Sequence, residues 1–523
     1  MMVWLRSLRA PLCVCVLGSL FLVLLFRLAG PPLQDDHKAL LEETRKWRAE
    51  LDLLKLNLER HKDKDKEKDK ELKLEAKLEP KLEPKLESRP EPEPDLETLL
   101  RSNEDENWAH GPECAPYPRY ENLEFHSPHF QKTQHGNLTY YLYGAYYDRR
   151  PRVAELVILA MITTCTDNHP PTYCQMWFEG ETLPELVPLH ESKLAWFPQW
   201  GQGEGVPFPT LLTFQMQSPR QPQLVALVFG NGCAVPQNAL KVIQPPVLEE
   251  ERVKAQPRLR TGICVKYLRF PDVDISERLV EWLELMRLLG AGKIRAFDIG
   301  QLHPNISRTL AYYTRPEDGL LELRPYQMLP TFDGKTELCR QLNEVLLYND
   351  CLYRSLYEFD YVAVMDVDEV IMPLGRQRSW PDLLEELEAA DVNCSARCGY
   401  CFSNVYFPKE LAPDPKMESC FYMLAHVTRV AEHLDPALAA KCLHNTAYST
   451  VMHNHFAIQW RESCGPQHVD VEMGQMQHYR HVDILETLVK PPPKLDDNIR
   501  RFQKQLMRNV RAVHRQLGWP GAT

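Results

Sequence analysis

From Gly262 onward the chain alternates short apolar runs with longer amphipathic ones, and that rhythm restricts its fold more than any other feature. Ile263–Arg269 reads as a strand, Ser276–Leu289 as a helix with Asp274 or Ser276 as its cap and Gly290 at its end, and Lys293–Asp298 as a second strand. A helix over His303–Tyr313 and a third strand at Leu321–Arg324 follow. Next comes a helix over Glu337–Phe359, with Leu338, Leu342, Val345, Cys351, Leu352 and Leu356 on its apolar face, feeding the strand Tyr361–Met365. Strands alternating with helices at these intervals predict an α/β fold built on a parallel sheet. In such sheets ligands gather at the carboxyl ends of the strands.

The end of that last strand carries Asp366-Val367-Asp368-Glu369. Carboxylates two residues apart lie on one side of an extended chain, so Asp366 and Asp368 can share one hard cation, with Glu369 expected on the opposite side. Acids bordered by apolar strands are costly without a counter-charge, and a divalent metal supplies one. A bare D-x-D is also common in solvent-facing turns. Its place after a buried strand points to nucleotide-sugar transfer, where Mn²⁺ holds and neutralises the departing diphosphate. His453, His455, His478 and His481 are the histidines expected near that metal, with His478 as the third protein ligand. Arg480 suits bidentate contact with a diphosphate. Inversion at an anomeric carbon needs a base, for which Glu462, Asp470 and Glu472, together with Glu369, are unresolved candidates.

The first hundred residues obey other rules. Ala10–Phe26 carries no charge, and seventeen residues span about 25 Å, the short end of a bilayer crossing, extensible to Ala29 if Arg27 snorkels. Arg6 and Arg9 precede the run and Asp35 and Asp36 follow it, which orients the amino terminus to the cytosol and the rest to a lumen. A cleaved signal peptide is the alternative, but at its best cleavage point, around Ala29, Arg27 would stand at the third position before the cut, where a small residue is wanted, and Pro31 and Pro32 follow. Leu40, Trp47, Leu51, Leu54 and Leu58 then form a helical stripe that either pairs two chains into a homodimer or lies alone. His61–Asp95 is a Lys/Glu/Pro low-complexity spacer with prolines every few residues and no aromatics, which is not expected to build a core. The globular part is expected to begin near Trp108–Pro116, with strand runs at Glu155–Thr163 and Leu224–Gly230 inside a mostly β subdomain.

Fifteen cysteines suit an oxidising compartment better than the cytosol. Cys13 and Cys15 lie in the apolar run, which leaves an odd thirteen beyond it, so at least one stays unpaired within the molecule. Cys394, Cys398 and Cys401 could be zinc thiolates, although disulfides are the simpler account without a nearby fourth ligand. Sequons at Asn137, Asn305 and Asn393 agree with a lumenal domain. The net charge of -11 gives no electrostatic reason to bind nucleic acid.

FPDVDISERLVEWLELMRLLGAGKIRAFDIG, LCRQLNEVLLYNDCLYRSLYEFDYVAVMDVDEVIMP, MHNHF and MQHYRH, in that order across Arg260–Arg480, resemble the successive motifs of glycosyltransferase family 92, the DUF23-type transferases. The resemblance implies a GT-A-like fold, a single-pass type II protein of the Golgi membrane and an inverting, Mn²⁺-dependent reaction. It implies UDP-galactose as donor and glycoprotein glycans as acceptors, with β-galactosides as products. Asp366 and Asp368 match the family's D-x-D pair, Asn349, Asp350 and Cys351 mark the helix leading to the site, and His478, Tyr479 and Arg480 mark its far wall, with Tyr479 and Arg480 on the donor side. Val370 departs from the family's aromatic after the acids and leaves the carboxylates intact.

The expected organisation is a cytoplasmic tail at 1–9, a signal anchor at 10–29, a stem at 30–110, a mostly β subdomain at 111–250 and a GT-A-like catalytic domain at 251–523. Another UDP-sugar donor is the alternative within the class, since donor choice rests on a few pocket groups. Outside it, the acids could hold Ca²⁺ in a lectin-like lumenal protein, but the local run offers too few oxygens for a calcium loop.

Overall fold

The computed structural model describes residues 95–102, 114–243, 259–330 and 336–519. The expected anchor, the leucine stripe and the Lys/Glu/Pro spacer before residue 95 lie outside them. Among the described residues no helix is long and apolar enough to cross a membrane.

Residues 125–243 form a ten-stranded sheet in which Leu240–Ile243 runs parallel to Leu138–Asp148 and the other pairs are antiparallel. Glu155–Ile162 shows why a continuous apolar run suits its place, because all eight of its residues are buried. Leu156, Ile158, Ala160 and Ile162 face one core with Cys174, Met176 and Leu227, whereas Val157, Leu159 and Met161 face the helix Thr336–Ser355 through Leu342, Val345 and Leu346. The helix Leu96–Ser102, placed by sequence in the stem, packs Leu100 beside Tyr117 and Trp177. The folded part therefore starts before Trp108, because Leu96, Leu99 and Leu100 find apolar partners in Tyr117 and Trp177.

The second region is numbered from its first strand. β1 (Thr261–Phe270), α1 (Ser276–Leu289), β2 (Ala291–Leu302), α2 (Pro304–Tyr313), β3 (Leu321–Pro325), α3 (Thr336–Ser355) and β4 (Tyr361–Val364) follow the predicted alternation. β1 lies between β2 and β4, β3 flanks β2, and these four strands are parallel. β5 (Glu369–Pro373), β6 (Gly399–Phe402), β7 (Asn404–Tyr406), β8 (Lys441–Asn445), β9 (Gln467–His468) and β10 (Gly474–His478) are the later strands of its two main sheets. The main sheet has the order β3-β2-β1-β4-β8-β6-β9, and β5-β10-β7 form a small second sheet. The cap of α1 differs in detail: Ile275 occupies the capping position, while Asp274 accepts from the Ser276 amide at 2.9 Å.

Among the described residues four disulfides form, Cys114–Cys233, Cys264–Cys351, Cys394–Cys464 and Cys401–Cys442. Cys264–Cys351 ties β1 to α3. Cys394 and Cys401 pair with distant cysteines and Cys398 is a buried thiol, so the three do not share a zinc ion. Cys165, Cys174, Cys339 and Cys420 are also free.

Candidate active site

β1 and β4 deliver their carboxyl ends to one cleft. It has a larger lobe of about 550 Å³ and a smaller one of about 260 Å³, and both are lined by Lys266, Asp366, His478 and Arg480. The smaller lobe lies between the end of β1 and the first turn of α1, with Tyr267, Phe270, Ile275, Arg278 and Asp368 in its wall. The larger lobe adds Glu344, Glu369, His453, His455 and Asp483.

The acids are held by a turn rather than by an extended chain. The Glu369 amide donates to the Asp366 carbonyl at 3.1 Å, and the Asp366 amide donates to Glu369 Oε2 at 2.9 Å. This corrects the expectation that Glu369 points away from the pair. β5 starts at Glu369 in register with His478 of β10, which in turn is in register with Tyr406 of β7. His478 Nε2 consequently lies 3.8 Å from Asp368 Oδ1 and 3.7 Å from Glu369 Oε1, and its ring stacks on Tyr406 at 5.4 Å between centroids.

Two lysines compensate part of this acidity. Lys266 Nζ is 3.2 Å from Asp366 and 3.7 Å from Glu344, and the fully buried Lys441 pairs with Glu369 at 2.9 Å. Burial penalises the charge on Asp366, yet Lys266 and Lys441 outweigh that penalty and bring its carboxyl down to about 2. Burial pushes Asp368 above the usual carboxylate range; His478 opposes this, while Glu369 and Asp366 add repulsion. Asp368 keeps 32% of its side chain open. One carboxylate is thus neutralised by the protein and the other is left in deficit beside a cleft.

That deficit is the test of fit for a divalent cation. Among the described residues no three His, Cys, Asp or Glu side chains make a ready-made cage. His478 Nδ1 is nevertheless buried without a hydrogen-bond partner, and the opposing charges of His478 and Arg278 still leave the carboxyl of Asp368 above the usual range. Few protein ligands with positions left for phosphate oxygens and water is how Mg²⁺-like ions are bound. The residues fit such an ion.

Other expected site residues are placed elsewhere. Tyr479 is fully buried, stacks on Phe407 at 5.0 Å and donates to Gln477 Oε1 at 2.9 Å, so it is no wall of the cleft. Successive residues of a strand face opposite ways, and with His478 inward Tyr479 must enter the core. Its amide does anchor the turn by donating to the Asp368 carbonyl at 2.9 Å. Glu462, Asp470 and Glu472 are exposed and line neither lobe; Asp470 accepts from the Glu472 amide in a surface turn. His481 pairs with Glu410 outside the cleft. His453 and His455 do line the larger lobe, where burial and then nearby cationic groups bring them down to about 3 and about 4, so both are neutral imidazoles. Asn349 brackets the backbone of Met452 with two hydrogen bonds, and Asp350 is held by Arg354 and Tyr146. Asn137 and Asn393 are exposed, whereas Asn305 is half-buried and donates to Asp274. The lysines escaped the sequence reading, although Lys266 inside the apolar run Ile263–Leu268 was a usable signal.

No curated protein matches the chain. Among the solved structures that resemble part of it are the X-ray structure of the mannosyltransferase Ktr4p from S. cerevisiae, at 12% identity and a TM-score of 0.17, and the same protein in complex with GDP, at 11% and 0.16. Each match covers 28% of this chain, and 40% and 41% of those chains respectively, so the chain spans well under half of their length. The model of glycosyltransferase family 92 matches residues 260–517.

Proposed function

Because residues 260–517 belong to glycosyltransferase family 92, we propose that this glycosyltransferase is an Mn²⁺-dependent, inverting β-galactosyltransferase of GT-A-like fold. It moves galactose from UDP-galactose to a sugar hydroxyl on glycoprotein glycans, as a type II protein of the Golgi membrane. The resemblance of its motifs supports the donor and the location. One observation carries the chemistry: Asp366, Asp368, His478 and Arg480, over a hundred residues apart in sequence, meet in a cleft at the ends of parallel strands.

In this reading the nucleotide lies in the smaller lobe, the galactose sits along the shared wall and the acceptor enters the larger lobe. Asp368 and His478, with Asp366, are the residues that would hold the cation; Mn²⁺, if bound there, would supply positive charge for the departing diphosphate. Lys266 and Arg480, which line both lobes, add fixed positive charge along the same path. The acceptor oxygen bonds to the anomeric carbon as the bond from that carbon to the diphosphate oxygen breaks, and the acceptor proton passes to a carboxylate. Glu344 and Glu369 keep only 7% and 4% of their side chains exposed, besides being held by Arg340, Lys266 and Lys441. Asp483, whose side chain is 61% exposed and is oriented by Arg480 and Tyr406, is the base we assign.

Turnover of a panel of UDP-sugars by the full chain, with and without Mn²⁺ and with released glycans as acceptors, tests the proposal. Metal-dependent transfer from UDP-galactose is expected. Preference for another donor would reassign the sugar, and no turnover with any donor would remove the reading.

A further inference from the structure

Part of the wall of the larger lobe, Trp196 and Trp200, comes from the strand-rich region. Between the strands Glu191–Leu194 and Phe208–Gln215 a short loop carries Trp196, Phe197 and Trp200. Trp196 is buried and donates its indole N–H to the Gly201 carbonyl at 3.0 Å, which closes the loop on itself. Gly201 has φ +142°, a conformation that side chains disfavour, and an added Cβ would press on Leu338 of α3 at 3.2 Å. The loop is therefore fixed to both regions.

Trp200 is held edge-on by Trp196 and Phe197, with centroids at 5.2 and 4.7 Å, and lies against the ring of His453 at 4.5 Å. It remains 39% exposed despite these contacts, in the same lobe as the acids. A large aromatic surface left open in a polar cavity, braced on its other sides, is a binding feature rather than core. Its exposed face suits the C–H face of a pyranose ring, and neutral His453 beside it adds no repelling charge.

We propose that Trp200 is the platform for the acceptor's terminal sugar ring, so that the strand-rich region, outside the matched residues 260–517, helps choose the acceptor. This rests on the transferase reading above and deepens it. The alternative occupant of an indole face, the uracil of the donor, is assigned to the smaller lobe, where Tyr267 and Phe270 line the wall.

Trp200→Ala and Trp200→Phe in the full chain, assayed with a pool of oligosaccharides released from secreted glycoproteins, test it. Trp200→Ala is expected to raise the acceptor KM about tenfold, while donor KM, UDP binding and hydrolysis of the UDP-sugar by water stay near wild type. Trp200→Phe should recover part of the loss. An unchanged acceptor KM, or a loss of UDP binding, would overturn the platform while wild-type turnover upheld the transferase. A wild-type chain without turnover of any UDP-sugar would instead remove both.

Discussion

Two aspartates withdrawn from water, Asp148 in the strand-rich region and Asp368 in the catalytic region, meet opposite fates. Asp148 is completely enclosed, yet Arg150 at 2.7 Å and Arg461 at 3.1 Å outweigh the cost of its burial and hold its carboxyl below the usual range. Arg150 also donates to the carbonyls of Thr446 and Ser449, so this ion pair fastens the two regions together. Asp368 is less enclosed but sits among further acids, and its carboxyl is pushed upward. A buried charge with matched partners holds a structure together. One left in deficit at a cleft marks where a cation or substrate is recruited.

The most damaging way to disturb that contrast is Asp148→Asn. It leaves Arg150 enclosed without its counter-charge, which should cost about 3–5 kcal/mol of stability in denaturant unfolding. Molecules that remain folded should turn over near the wild-type rate; an unchanged unfolding midpoint would show that the pair does not fasten the regions. Next in size is the covalent tie beside the same boundary. Replacing Cys264 and Cys351 together by Ser should cost about 2–4 kcal/mol, read by the same unfolding curves. A smaller loss would mean that α3 and β1 are held by packing alone.

A third probe asks what burial does to a base rather than an acid. His444 is fully buried, and burial followed by the charge of Lys441 brings its imidazole down to about 3. The native state keeps it neutral while the unfolded chain binds a proton near the ordinary histidine value of about 6.5. Its stabilising contribution is full above that pH and is lost as pH falls toward the native value, on the order of 1–2 kcal/mol between pH 7 and 5. His444→Gln should flatten that part of the stability profile; an unaltered profile would contradict the neutral assignment. The mildest change is Tyr479→Phe, which removes only the bond to Gln477. It should cost under about 1.5 kcal/mol and leave kcat/KM unchanged, whereas a catalytic defect would return Tyr479 to the donor side.

The strand and helix succession from Thr261 to Val364 was legible because each element follows its neighbour and declares itself by local periodicity. The acidic cluster was legible for the same reason, at the end of a buried strand. What escaped depended on pairing across long separations. Nothing near Glu369 shows that Gly474–His478 will lie antiparallel to it, so the turn that folds Glu369 toward Asp366 could not be read from spacing. The same pairing turns Tyr479 into the core and gives His478 its place. Glu462, Asp470 and Glu472 were chosen for lying between histidine motifs, but nearness in sequence does not place surface-turn residues in a cleft. Trp200 was missed because its role exists only where a loop of one region meets the other.

The central claim is that the deficit at Asp368 is filled by a cation that assists the leaving diphosphate. Asp368→Asn in the full chain, assayed for Mn²⁺-dependent UDP-galactose turnover alongside thermal unfolding, tests it most directly. The account predicts a loss of at least about 10²-fold in rate, with a midpoint equal to or above wild type because a repelled charge is removed. Near-normal turnover by the folded variant across a range of Mn²⁺ concentrations would contradict it.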